Sequence, residues 1–131
     1  MTPSPSGEHG VQGVAGWPLR LSRLAVQVAV MSHRFACDIG AIPADERPSH
    51  HELTRRLMAI ATTRETTDGF SFEFPAAEYA AVVRFVALER LCCPFLGFTV
   101  DVPADQGPLR LRLTGPVGAK AFIRAELDLP T

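Results

Sequence analysis

The chain has 131 residues, 47% hydrophobic and 21% charged, with a formal charge of -1. That balance suits one globular domain with one core, and its acids and bases are interspersed, leaving no electrostatic footprint for nucleic acid or an anionic membrane. Three cysteines are too few to be the dense even set that staples small secreted domains, so a reducing, cytoplasmic location is expected.

The first stretch, MTPSPSGEHGVQGVAGWP, is rich in Pro, Gly and Ser and has few residues able to form a core, which predicts disorder. The following LRLSRLAVQVAVM places two arginines before a short apolar run, but no small-residue cleavage site follows and the run is too short to span a bilayer. The expected organisation is a leader over residues 1–30, disordered or carrying an accessory helix over residues 20 to 31, and a single domain over residues 31–131 that begins at Met31.

Pro48-Ser49-His50-His51-Glu52 reads as a helix start, with Ser49 as N-cap and Glu52 completing a capping box. Leu53, Leu57 and Ile60 repeat at helical spacing. The β-branched pairs Thr62-Thr63 and Thr66-Thr67 end that helix near Ala61 and favour an extended chain. Asp68-Gly69 is the expected two-residue turn, with Gly69 at positive φ. Phe70, Phe72 and Phe74 then alternate with Ser71 and Glu73, so one sheet face is apolar.

Pro75 suits the first turn of a second helix that runs through AAEYAAVVRFVALERLCC until Pro94 stops it. Its expected inner face is Tyr79, Val82, Val83 and Val86, with Phe85 and Cys92 on the flank. A second hairpin pairs Phe98, Val100 and Val102 with Leu109, Leu111 and Leu113 across a turn at Asp105-Gln106-Gly107-Pro108. Gly115-Pro116 opens a last helix reaching about Leu127, with Val117, Ala121, Phe122 and Ala125 inward. The order α-β-β-α-β-β-α predicts an α+β fold: a four-stranded, mostly antiparallel sheet carrying helices on one face.

Glu89-Arg90-Leu91-Cys92-Cys93-Pro94-Phe95 concentrates the chemistry. At about 100° per residue, Glu89 projects between Cys92 and Cys93 inside the apolar arc, where an unpaired carboxylate is costly. One reading is structural: Arg47, Arg55 or Arg56 holds Glu89, Arg90 pairs with Asp38 or another acid, and the cysteines pack as small hydrophobes. A disulfide between the adjacent cysteines would distort the peptide between them. The other reading is functional. A helix C-terminus disfavours a thiolate nucleophile and favours a cation, which places metal binding above redox chemistry. Cys92 and Cys93 would be ligands, Glu89 a ligand or a base beside them, and Cys37 a third thiol if FACDIGAIP crosses nearby. This set suits Zn²⁺, Cu(I) or a heavier thiophilic ion. His50 and His51 are expected in an exposed first turn, outside the ligand set. GPVGAK lacks the spacing of a phosphate loop.

Together, CDIGAIPADERPSHH, ERLCCPF and LTGPVGAKAF resemble a group of small hypothetical bacterial proteins, over roughly Cys37 to Leu127. The resemblance implies an independent domain starting near Met31 and carries no activity with it. The expected function is a small cytoplasmic protein that binds a thiophilic metal ion through its vicinal cysteine pair. The alternatives are a thiol-dependent reductase or transferase acting on a small thiol-reactive molecule, and an interaction domain whose cysteines are only core. Neither nucleic acid nor membrane is an expected partner.

Overall fold

FSFEF and LRLRLT, the two most regular alternations in the chain, form the middle of the sheet. The computed structural model describes residues 35–130; the expected leader, its accessory helix and the start at Met31 lie outside the described residues. Strands β1 (Thr62–Glu65), β2 (Gly69–Phe74), β3 (Gly97–Asp101) and β4 (Leu109–Thr114) pair in the order β1-β2-β4-β3, and every neighbouring pair is antiparallel. The register sets Phe70, Phe72 and Phe74 opposite Leu113, Leu111 and Leu109. All six are buried on one face, each worth about 1.5–3 kcal/mol of burial. Glu73 and Arg110 face the other way and form an ion pair at 3.7 Å.

Helices α1 (Arg47–Ile60), α2 (Tyr79–Cys92) and α3 (Ala119–Glu126) add Leu57, Val82, Phe85 and Ile123 to this core. The α+β class, the antiparallel sheet and the element order are as expected. Among the described residues no helix is long and apolar enough to cross a membrane.

Several local expectations are corrected. α1 starts at Arg47, because a 3-10 turn over Ala44–Glu46 runs straight into it. Ser49 is therefore already inside the helix, donating its hydroxyl to the Glu46 carbonyl at 3.1 Å instead of capping, and Glu52 pairs with Arg55. The inner stripe of α1 is His50, half-buried Leu53 and Leu57; Ile60 is exposed where Ala61 turns the chain into β1. The first hairpin turns at Thr67-Asp68, where the Thr66 N–H donates to the Gly69 carbonyl at 2.9 Å. Gly69 opens β2 without positive φ. What it needs is room, since a Cβ there would lie 1.8 Å from the Leu113 carbonyl oxygen.

α2 is entered through a 3-10 turn over Ala76–Glu78. Its buried residues are Val82, Phe85, Leu88, Glu89 and Cys92, whereas Tyr79 and Val83 are exposed. The bulky Phe85 takes the centre of the face and rotates it away from Tyr79. Val102 is exposed beyond the end of β3. In α3, Gly118 holds φ +96° immediately before the first helical residue, a conformation that glycine adopts without a Cβ penalty. Because the helix begins only at Ala119, its buried residues are Ala119 and Ile123 with Phe122 half-buried. Val117 is 96% exposed, and Ala121 and Ala125 also face out.

Candidate metal centre

The site is built at the point where Pro94 ends α2. Cys93 leaves helical geometry at φ -126° and ψ 66° while its N–H still donates to the Glu89 carbonyl at 2.9 Å. The last carbonyls of a helix have no partner within it. One of them, on Cys92, accepts the Asp38 N–H at 2.9 Å, and that bond draws the segment before α1 across the helix end and sets Cys37 beside Cys92. The sulfurs of Cys37, Cys92 and Cys93 consequently lie within 4.8 Å of one another. All three cysteines are free. Cys92 and Cys93 form a small second core with Ile42 and Leu88, and Cys37 packs against it. Phe95 closes its outer side, edge-on to Phe35 at 5.2 Å and to Phe122 at 4.9 Å.

Glu89 organises the thiols. Its Oε1 accepts from the Cys92 thiol at 3.2 Å and from the Cys93 thiol at 3.7 Å, and the two sulfurs are 3.5 Å apart. Its Oε2 is 3.6 Å from Nε2 of His50. Both residues are 4% exposed. The arginine expected to hold Glu89 is absent: Arg47 donates to the Ile42 carbonyl, Arg55 pairs with Glu52 and Arg56 with Glu78. Among the described residues no ion pair joins Arg90 to Asp38 or any arginine or lysine to Glu89; His50 is the partner instead.

His50 is thus a correction to the expected exposed first turn. Its ring stacks on Phe85 at 5.7 Å between centroids, and its Nδ1 is buried without a hydrogen-bond partner. The signal was present in the sequence, since His50 extends the Leu53–Leu57 stripe by one turn at helical spacing. His51 is exposed. Both histidines line a cavity of about 270 Å³ whose walls also include Cys37, Cys92, Glu89 and Glu126.

This environment keeps the thiols protonated. Burial first, then the hydrogen bond with Cys92, pushes the Cys37 thiol far above its ordinary value. Cys92 is raised by its hydrogen bond with Cys93, then by burial and the Glu89 charge. For Cys93, the hydrogen bond with Cys92 favours the thiolate, but burial and the Glu89 charge outweigh it. The Glu126 carboxyl is raised as well, by desolvation where this otherwise exposed residue meets the cavity and then by Glu89. Neutral thiols are poor nucleophiles at physiological pH. They remain competent ligands once an ion displaces their protons.

Cys92, Cys93 and Cys37, expected as ligands, come together, and Glu89 touches two of them. Sulfurs grouped at this spacing can share one soft ion. No protein-family model, curated protein or solved structure matches the chain.

Proposed function

We propose that the protein binds a thiophilic metal ion through Cys37, Cys92 and Cys93, with Glu89 as a ligand or as a base beside them. The observation that carries this reading is the convergence of three sulfurs from two separate segments to within 4.8 Å of one another. The buried carboxylate on two of those thiols, without an arginine or lysine, supports it further. Such a charge is costly to bury for structure alone. A thiol-dependent enzyme draws less support, because all three thiols are held above their ordinary values. Free thiols of this kind persist in a reducing compartment, which is where the protein is expected to act.

The test is titration of the reduced, chelator-treated protein with Cd²⁺, following sulfur-to-metal charge-transfer absorption and thermal unfolding. One equivalent should saturate the absorption. At an ion concentration about 100 times Kd the fold should gain about 2.7 kcal/mol, and Cys92→Ser should lose both effects. A chain that shows no charge-transfer band and no stabilisation with Cd²⁺ or with any other thiophilic ion would return the cysteines to a purely structural role.

A further inference from the structure

The charge and ligand number of the same cluster restrict which ion it accepts, an inference that rests on the metal-binding reading above. Three thiolates around a divalent ion leave one net negative charge, and the Glu89 carboxylate adds a second. A monovalent ion leaves one more still. Cys92, Cys93 and Glu89 are almost wholly buried, no described arginine or lysine pairs with Glu89, whose basic neighbour is His50 at 3.6 Å, and Glu126 brings another acid to the cavity wall. Uncompensated buried charge is strongly unfavourable. A trivalent ion is neutralised by the three thiolates alone.

Ligand number points the same way. Structural zinc sites take four ligands; the cluster among the described residues offers three sulfurs, so a fourth from beside them would be Glu89, whose carboxylate adds one more negative charge to the buried set. A trivalent element with a lone pair needs only three, in a pyramid.

We propose that the site binds a trivalent thiophilic element of the arsenic and antimony class, taken up as its neutral trihydroxide and held by Cys37, Cys92 and Cys93. In this exchange M(OH)₃ and three cysteine thiols give M(S-Cys)₃ and three waters. Three S–H and three M–O bonds break, three M–S and three O–H bonds form, and neither oxidation state nor net charge changes. Each departing hydroxide carries away a thiol proton. The adjoining cavity, about 270 Å³, has room for three waters at about 30 Å³ each, and half-buried Cys37 on its wall is the thiol reached first.

The experiment is native mass spectrometry of the full reduced chain with arsenite, with Zn²⁺ and with both. Arsenite alone should add the mass of one arsenic less three hydrogens. With both present, the arsenic adduct should dominate by at least about 100-fold in affinity, the equivalent of avoiding one poorly compensated buried charge. In Cys37→Ser, whose side chain is only half-buried, the adduct should keep one hydroxyl, lose two hydrogens, and weaken by at least about tenfold. Displacement of arsenic by equimolar Zn²⁺, loss of fewer than three hydrogens in the wild type, or unchanged binding in Cys37→Ser would overturn the trivalent assignment while leaving metal binding intact. Failure of both probes to bind would overturn both readings.

Discussion

Replacing Glu89 by glutamine removes a buried negative charge and almost nothing else. The amide oxygen can still accept from Cys92 and Cys93, which lie at 3.2 and 3.7 Å from the present carboxylate oxygen. The amide nitrogen takes the place of the oxygen 3.6 Å from Nε2 of His50, a spacing too long for a good hydrogen bond. Had an arginine held the carboxylate, the substitution would strand a buried cation at a cost of about 3–5 kcal/mol. No arginine does. Thiols are weak donors, so the hydrogen bonds at stake are small, and losing the charge relieves desolvation. Glu89→Gln is therefore expected to change the stability of the metal-free protein by no more than about 1 kcal/mol, with a gain as acceptable as a loss. For a domain of this size that corresponds to a Tm shift within about 4–8 °C. Thermal and urea unfolding of both proteins in chelator is the assay. A loss of about 3 kcal/mol or more would refute this reasoning, since it would require His50 to be a full cationic partner of Glu89.

Two further predictions address the frame that carries the site. Gly69→Ala puts a Cβ 1.8 Å from the Leu113 carbonyl oxygen, which forces β2 away from β4 at the sheet centre; a loss of about 2–3 kcal/mol, on the scale of overpacking, should appear in urea unfolding, and an unchanged midpoint would show that the two strands separate freely. Glu65 is bound by Lys120 at 2.8 Å and by Arg124 at 2.6 Å, and these hydrogen bonds hold its carboxyl below the usual carboxylate range. A carboxylate lowered in the folded state contributes stability above its unfolded value and loses it as pH falls through the folded one. The Tm difference between wild type and Glu65→Gln should therefore be small and positive at neutral pH and vanish in acid, and a difference that grew on acidification would contradict the assignment.

The elements of this fold are local matters, which is why the sequence alone determined them. Alternation of Phe70, Phe72 and Phe74 with polar residues commits that stretch to a strand whatever surrounds it, and Pro94 ends α2 by sterics within its own dipeptide. The closeness of Glu89, Cys92 and Cys93 is equally local, a consequence of one helical turn. Element edges and buried faces were decided by packing. α1 starts early because a 3-10 turn feeds into it, and Phe85 rather than Tyr79 faces inward because the space under the helix fits it there. Only the tertiary structure decided the remainder of the site. Cys37 joins the pair because the Asp38 N–H satisfies the open carbonyl of Cys92, and His50 becomes the partner of Glu89 because α1 packs on α2 with its inner stripe extended by one turn. Both pairings join segments distant in the chain, where no periodicity relates one residue to the other; they exist because buried polar groups at a helix end must find partners.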